Sequence, residues 1–429
     1  MAEPGLNTPA GSADARTAFT ERHLRRNIIV QLCHGMFGQT GFRLINAPTF
    51  LPVYLFALSG SEMLVGLARS LQALGQVLTP VLGASLIGHR PKMLRVTLWA
   101  GALMRLQILC IALSGLWLGH TAAGLWAIIF FMTMMGFFQG LQGVMLNSLR
   151  AKVIPVKRRG FVTGWRNFLA GGSTAGLSYF AGGYFIDNNI LGDGYASLFL
   201  LAFLVTSLGL VALAFSKEPA SDQVRKRENV AQSFRALPQL LADNPLFARF
   251  FIVRALGSFG RMAMPFYILF AGTRMEISGA MLGVLTTIWM LTGTASNLVW
   301  GNLADRHGYR IVMIITLSLW ILAHMVLLYS SDIAGVMLFF LVVGTATGGF
   351  QQAGQNLVLE LGAEQDIPLR VAVSNMAVNA IGTIGPLLGG MIAWWLGHAA
   401  IFWVCIALQL VALVVMAGWI PEPRHLQTD

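Results

Sequence analysis

Seven arginine residues lie inside long apolar stretches of the sequence. They are Arg43, Arg69, Arg105, Arg166, Arg249, Arg254 and Arg261. Three of them, Arg43, Arg105 and Arg261, fall near the middle of a stretch, where a charge in a bilayer costs roughly 3 kcal/mol unless it meets water or a partner. All 18 carboxylates lie in connecting segments or within about a turn of a stretch end. The pattern indicates an anionic ligand with a carboxylate, phosphate or sulfonate group, which guanidinium groups bind in a fork geometry.

Some of these arginines have a plainer interpretation. Arg69, Arg249 and Arg254 could extend toward a membrane surface while their aliphatic stems stay in an apolar layer. Arg166 lies near the end of its stretch, so its side chain could extend toward a membrane surface in the same way. For the other three, water and an anionic ligand both remain open as partners.

Two pairs of glutamines, spaced three residues apart, could supply hydrogen bonds in the same layer. Gln139 with Gln142, and Gln352 with Gln355, each share one face of a helix. An amide face is unfavourable in lipid, so we expect these side chains to line a polar cavity and bind substrate. The alternative is hydrogen bonding between helices, which contributes about 0.6 kcal/mol per bond. Asn379 is a further candidate of the same kind.

The elements that carry these residues are predicted to be membrane helices. The 429 residues are 56% hydrophobic and 11% charged, with a mean hydropathy of +0.67, whereas soluble domains carry about 25% charged residues. About 20 apolar residues span the ~30 Å hydrocarbon layer as a helix. Twelve such stretches occur, at about 28–57, 63–87, 93–117, 123–148, 161–185, 196–215, 247–271, 278–303, 311–329, 333–359, 371–396 and 400–420. The predicted fold is therefore an all-α integral membrane protein with twelve transmembrane helices.

Basic residues indicate the orientation in the bilayer. Alternate connections hold one basic residue between them, Arg274, while the other connections and the tails hold 21 of the 29. Because Lys and Arg concentrate in cytoplasmic loops, both termini are predicted to be cytoplasmic in a bacterial-type inner membrane. This bias also accounts for the net charge of +11 without a nucleic-acid partner. The lipid bilayer is the expected surrounding.

The sequence divides into two related halves. We predict a cytoplasmic tail at 1–26, six-helix bundles at 27–215 and 247–420, a linker at 216–246 and a second tail at 421–429. The linker could equally be a basic surface helix on anionic lipid. Gly136-Phe-Phe-Gln139-Gly-Leu-Gln142 recurs in phase as Gly349-Phe-Gln-Gln352-Ala-Gly-Gln355. Such a repeat predicts two pseudo-symmetric bundles with a site between them.

A loop motif gives the chain a family resemblance. The segment Gly301-Asn-Leu-Ala-Asp305-Arg306-His-Gly308-Tyr-Arg310 resembles the G-x-L-A-D-R-x-G-R-K signature of the major facilitator superfamily. Pro155-Val-Lys-Arg-Arg159-Gly160 is similar to that family's P-x-x-x-R-G loop. The resemblance implies a cytoplasmic latch in which Asp305 meets a helix N-terminus, or Arg158 and Arg159, when the site faces outward. The alternative is that these residues only set loop shape and topology.

The chain also departs from the family pattern. The first-half counterpart of the loop motif has Ile87 where the acidic residue would stand, and Gly136 replaces the arginine often found in the fourth helix. The family's antiporter signature is absent from 161–185. A similar glycine and proline pattern lies at Gly382–Gly390 instead, where it could simply permit close packing or a bend. Direction and coupling ion therefore stay open.

The resemblance implies a secondary active or facilitative carrier that works by alternating access, with small-molecule substrate and sometimes a coupling ion as partners. The first and seventh helices line the cavity in that family, so Arg43 and Arg261 are the expected substrate contacts, whereas Arg105 lies on a peripheral third helix. The predicted substrate is a small organic anion. Alternatives are a neutral polar solute such as a sugar, or a transport-dead sensor or assembly factor.

Other function classes lack support in the sequence. There is no phosphate-binding loop of the G-x-x-x-x-G-K-S/T type. The three cysteines, Cys33, Cys110 and Cys405, show no metal-ligand spacing. No clustered nucleophile, base or metal ligands indicate an enzyme. We therefore expect neither a cofactor nor a catalytic site.

Overall fold

The computed structural model describes residues 18–88, 90–219, 241–242, 244–361 and 367–422. Within these ranges the chain is helical and contains no strand. The twelve units are α1 (Leu24–Asn46, continued by Phe50–Ser59), α2 (Glu62–Leu78, continued by Pro80–Gly88), α3 (Leu94–Leu118), α4 (Ala122–Val153), α5 (Val156–Ala181), α6 (Gly194–Ala214), α7 (Pro245–Gly257, continued by short turns to Gly272), α8 (Gly279–His307), α9 (Tyr309–Tyr329), α10 (Ile333–Glu360), α11 (Ile367–Leu396) and α12 (His398–Trp419). The predicted all-α fold with twelve long helices is confirmed.

Ten of these units are long and apolar enough to cross a membrane by length and composition. The other two, α5 and α7, are less apolar or less regular. The α5 sequence carries four basic residues and five glycines within 26 residues. The α7 unit breaks into turns at Ser258–Arg261 and Met264–Phe266, where Pro265 supplies no backbone N–H. Irregular backbone and polar side chains at membrane depth must face protein or water. The α5 helix meets this requirement because it packs between α1 and α8.

The helices form two bundles, α1–α6 and α7–α12, with matching internal contacts. In the first bundle α2 packs on α4, and in the second α8 packs on α10. Glycines permit both approaches: a Cβ on Gly136 would lie 2.0 Å from the Gln72 carbonyl oxygen, and one on Gly348 would lie 2.9 Å from that of Gly293. The two bundles are thus pseudo-symmetric, as predicted.

The segments outside the bundles are described only in part. Glu218, at the start of the predicted linker, accepts hydrogen bonds from the backbone N–H groups of Met93 and Leu94, both at 2.8 Å, and pairs with Lys152 at 3.0 Å. It therefore fixes the end of α6 to the start of α3. Residues 220–240 of the linker, 1–17 of the first tail and 423–429 of the second lie outside the described residues.

The two bundles meet on one side of the molecule. We call the side where α1 begins and α12 ends the terminus side, and the opposite one the distal side. Distal contacts join Thr49 Oγ1 to Thr286 Oγ1 at 2.6 Å, and the Leu387 N–H donates to Ser70 Oγ at 2.9 Å. A Cβ on Gly66 would lie 2.2 Å from the Pro386 carbonyl oxygen. The molecule is therefore closed on the distal side.

The glycine and proline pattern of α11 lies in this distal contact. A Cβ on Gly390 would lie 2.8 Å from the Glu62 carbonyl oxygen of α2, and one on Gly389 would meet Phe266 of α7. The pattern therefore permits close helix packing here.

Candidate functional site

A central cavity of about 780 Å³ lies between the bundles. Its size is within the usual range for small-molecule sites. The first bundle lines it with residues of α1, α2 and α4, and the second with residues of α7 to α11. The wall reaches Gln76 and Pro80 on α2 and Asn147 on α4, which lie in the terminus-side halves of those helices. The cavity therefore extends toward the terminus side.

Arg69 on α2 is the basic residue of the first bundle in this wall. Its Nη1 donates to Asn46 Oδ1 at 3.4 Å and to Gln72 Oε1 at 3.2 Å, and its Nη2 donates to the Ala47 carbonyl at 3.2 Å. Asn46 and Ala47 lie where α1 breaks between Asn46 and Phe50. The break leaves the Ala47 carbonyl outside a helical ladder, so it can accept from Arg69.

Arg261 on α7 is the basic residue of the second bundle in the wall. It ends the first short turn of the broken helix, and its Nη2 donates to Gln351 Oε1 on α10 at 3.0 Å. Met264 and Pro265, just beyond it, also line the cavity. The irregular turns of α7 therefore place Arg261 at the cavity.

The cavity carries an uncompensated positive charge. Among the described residues that line it, two are arginines and none is acidic. The groups that accept hydrogen bonds from Arg69 and Arg261 are side-chain amides and a backbone carbonyl. Uncharged acceptors satisfy N–H groups without cancelling the charge, and a guanidinium stays protonated. The site is thus suited to an anion.

The predicted site residues divide between the cavity and the surrounding helices. Gln139 and Asn379 line the cavity. Arg43 instead donates to Gln39 Oε1 of its own helix at 3.1 Å. Gln142 is buried, and its amide nitrogen would lie 2.2 Å from a Cβ on Gly101 of α3.

The α10 glutamines also separate. The Gln352 amide nitrogen lies 3.6 Å from the Cβ position of Gly301 on α8, and Gln355 is exposed. Neither is part of the described cavity wall. The α10 glutamine that contacts a cavity arginine is Gln351, one residue earlier than the predicted pair.

Two other arginines inside the apolar stretches, Arg105 and Arg254, contact neighbouring helices. Arg105 is buried and donates from Nε to the Thr206 carbonyl at 2.7 Å and from Nη1 to the Gly101 carbonyl at 2.8 Å. Arg254 donates to Ser374 Oγ at 3.4 Å and lies 5.0 Å from the ring centroid of Phe350. These contacts indicate helix packing.

The first turn of α9 contacts the end of α12. Arg310 donates from Nε to the Ile420 carbonyl at 2.5 Å and from Nη2 to the Ala417 carbonyl at 2.7 Å. Gly308 has φ of +83°, a conformation that favours glycine because it lacks a Cβ. Gly301, Asp305 and Arg306 lie in the last turns of α8.

Arg159 contacts its own bundle in this conformation. Its Nε donates to the Ile154 carbonyl at 3.0 Å, and its Nη2 donates to the Ala151 carbonyl at 2.6 Å. These carbonyls belong to the end of α4, so the guanidinium caps that helix.

Four residues at or next to the cavity were not predicted from the sequence to bind substrate: Arg69, Gln72, Asn46 and Gln351. A signal was present on α2, because Arg69, Gln72 and Gln76 follow a spacing of three and four residues and so share one helix face. A polar helix face within an apolar stretch indicates a cavity as strongly as the mid-membrane position of a single arginine does.

Comparisons with known proteins agree with this architecture. A model of the Major Facilitator Superfamily matches residues 30–274 and 250–429. The multi-drug resistance efflux pump PmrA homolog of Lactococcus lactis is 23% identical over 391 residues, covering 88% of this chain and 90% of that protein. The triacylglyceride transporter of Mycobacteroides abscessus is 23% identical over 142 residues, and this match spans 33% of the chain and only 28% of that relative's length.

Solved structures show the same fold at low identity. The D323A mutant of the nucleoside transporter NupG superposes with a TM-score of 0.73 at 14% identity, covering 91% of this chain and 99% of that one. A D-xylose-proton symporter gives a TM-score of 0.70 at 14% identity, covering 94% and 99%. Nearly the whole chain superposes in both cases. With a family model matched over almost its entire length, the chain belongs to the Major Facilitator Superfamily.

Proposed function

We propose that this transporter moves a small organic anion by alternating access, with Arg69 and Arg261 as the groups that bind it. The observation that carries the proposal is the pair of cavity guanidiniums whose described hydrogen-bond acceptors are all uncharged. The two arginines belong to different bundles. A ligand bound to both would therefore favour closure of the bundles around it.

The magnitude of the interaction supports an anionic ligand. Hydrogen bonds to charged groups contribute about 1.5–3 kcal/mol each, and a guanidinium can form two of them with one carboxylate or phosphate. An incoming anion displaces the amide contacts of Arg69 and Arg261, which are neutral and therefore weaker. Gln139 and Asn379 remain available in the wall to bond the uncharged part of the substrate.

We place the terminus side in the cytoplasm of a bacterial-type inner membrane, because the connections on that side carry most of the basic residues. The conformation described above is then inward-facing. We also retain the latch proposal for Asp305, with Gly301, Arg306, Gly308 and Arg310 shaping its loop. In the outward-facing state Arg159 would exchange its α4 carbonyls for the Asp305 carboxylate.

A second candidate is a carrier of a neutral polar solute such as a sugar. The observation that favours it is the number of amide side chains in the wall: Asn46, Gln72, Gln76, Gln139, Asn147 and Asn379. Amides donate and accept hydrogen bonds as hydroxylated solutes require. This candidate leaves the charge of Arg69 and Arg261 without a partner, so we rank it second.

Thermal-shift measurements on purified protein test the proposal. The panel contains citrate, succinate, glucose 6-phosphate and benzenesulfonate, with glucose and xylose as neutral comparisons. We expect at least one anion to raise the unfolding temperature, and Arg69→Gln or Arg261→Gln to weaken its binding by about 10- to 150-fold. Arg249→Gln is the matched control, because Arg249 lies on the same helix as Arg261 but donates to the Trp419 carbonyl at the terminus side.

Stabilisation by sugars alone, with unchanged affinity in both cavity variants, would reject the anion proposal in favour of the neutral solute. Uptake of the stabilising compound into proteoliposomes then separates a carrier from a sensor. A carrier accumulates the labelled compound, whereas a transport-dead sensor binds it without uptake.

A further inference from the structure

A second concave site lies outside the central cavity, between the start of α1 and the end of α6. It is an open groove with a volume of about 820 Å³. Its wall is apolar along its length and basic at one end. The α1 side contributes Ile29, Cys33 and Phe37, which are spaced four residues apart and so share one helix face.

The α6 side of this groove is also apolar. Leu208, Val211 and Phe215 line it, with 56%, 59% and 57% of their surfaces exposed, and Ile29 across from them is 52% exposed. From Ile29 to Phe37 the helix rises about 12 Å, close to the ~15 Å thickness of the hydrocarbon region of one leaflet. The groove therefore matches an acyl chain in both length and chemistry.

Three arginines lie at the terminus-side mouth of the groove. Arg22, Arg25 and Arg26 line it and are exposed. Arg26 donates from Nε to the Phe215 carbonyl at 2.9 Å, which fixes its guanidinium across the mouth. Among the described residues none of the three has a carboxylate within ion-pair distance. The carboxylate of Glu218, which follows α6, binds Lys152 and the start of α3 instead.

We infer that this groove binds an anionic phospholipid of the surrounding membrane, with the headgroup phosphate at the arginines and one acyl chain along the apolar wall. The charge at the mouth distinguishes the groove from an ordinary lipid-facing surface. Each arginine near a membrane strengthens association with anionic lipid by roughly five-fold. Because Glu21 lies one turn before Arg25 in the chain and offsets part of this charge, we expect the three arginines together to give a preference of at least about ten-fold over a zwitterionic lipid. The inference does not depend on the central cavity or its substrate.

Native mass spectrometry of the purified protein, with phosphatidylglycerol or phosphatidylcholine of identical acyl chains added, tests the site. We expect phosphatidylglycerol to be retained at least about ten-fold more strongly. The triple variant Arg22→Gln, Arg25→Gln and Arg26→Gln should lose this preference. A control with the same charge change, Arg90→Gln, Lys92→Gln and Arg95→Gln, should keep it, because those residues are exposed on the terminus side but are not part of the groove.

Two further arms identify the occupant. Phe215→Ser removes apolar wall while leaving the carbonyl that positions Arg26, so it should weaken lipid retention and keep the headgroup preference. Glycerol 3-phosphate, which carries the headgroup charge without acyl chains, should compete poorly. Three results would each overturn the inference: equal loss of preference in both triple variants, effective competition by glycerol 3-phosphate, or self-association of the protein that the groove variant abolishes while lipid retention is unchanged.

Discussion

Replacing Gly66 by alanine should open the distal side of the molecule. Gly66 lies where α2 crosses α11, and a Cβ there would lie 2.2 Å from the Pro386 carbonyl oxygen and 3.3 Å from the Gly390 Cα. The nearest atom is backbone, so no side-chain rotation relieves the contact. The added methyl group can be accommodated only if the two helices separate.

The size of the effect follows from that distance. Ordinary contact between heavy atoms lies near 3.5 Å, so α2 and α11 must move apart by roughly 1 Å at this crossing. Overpacking of this kind costs about 1–3 kcal/mol. Because the overlap exists only while the distal side is closed, the ratio of distal-closed to distal-open molecules should fall by about 5- to 150-fold.

Distance measurements between spin labels report this shift. Cysteines at His120 and Ser331 lie in distal loops of different bundles, and both positions are exposed. The distribution of label distances should move toward longer values in Gly66→Ala. Gly283→Ala should act in the same direction, because its Cβ would lie 2.3 Å from the Ser178 carbonyl oxygen at the second distal contact, between α5 and α8.

The matched control is Gly176→Ala. It makes the same substitution within a helix, but no atom lies within 4 Å of the Cβ position. An unchanged label distribution in both Gly66→Ala and Gly283→Ala, or the same shift in Gly176→Ala, would show that close backbone contact does not set the distal closure.

The remaining predictions concern the latch and the fold. Asp305→Asn should raise the fraction of inward-facing molecules, because the neutral amide binds Arg159 less strongly than a carboxylate does. Spin labels at positions Lys92 and Pro421 would then lose their short-distance population. An unchanged distance distribution would count against the latch. Glu218→Ala should lower stability by roughly 3 kcal/mol, because it leaves Lys152 unpaired and two helix N–H groups unsatisfied. Thermal unfolding followed by circular dichroism measures this loss, and Glu218→Gln, which keeps an acceptor oxygen, should lose less.

The fold was largely predictable because a membrane imposes one strong constraint on the chain. Length and hydropathy identified the helices, including α5 and α7, which are marginal by hydropathy alone. The repeat around Gly136 and Gly349 correctly indicated two equivalent halves. The prediction did not include the break of α1 between Asn46 and Phe50, or the short turns of α7. These depend on contacts with other helices, which a single sequence does not reveal.

The cavity wall was predictable only in part. The predicted depth in the membrane made Arg43 and Arg261 equally good candidates for substrate contacts. Their side chains lie on different faces relative to the cavity, because Arg261 lines it whereas Arg43 donates to Gln39 of its own helix. The break of α1 also provides the carbonyl that positions Arg69. A helix periodicity defines which residues share a face, but only packing determines which face meets the cavity. For this reason Gln351 contacts Arg261 although Gln352 belonged to the repeated pattern.

A cryo-EM or crystallographic density map of the protein bound to its transported compound would show whether Arg69 and Arg261 together bind an anion. We expect an acidic group of the compound within hydrogen-bond distance, about 3 Å, of the guanidiniums of both Arg69 and Arg261. The amide contacts from Gln72 and Gln351 should be displaced or shared. A compound bound in the cavity with no acidic group near either guanidinium would show that Arg69 and Arg261 do not bind the transported compound through its charge.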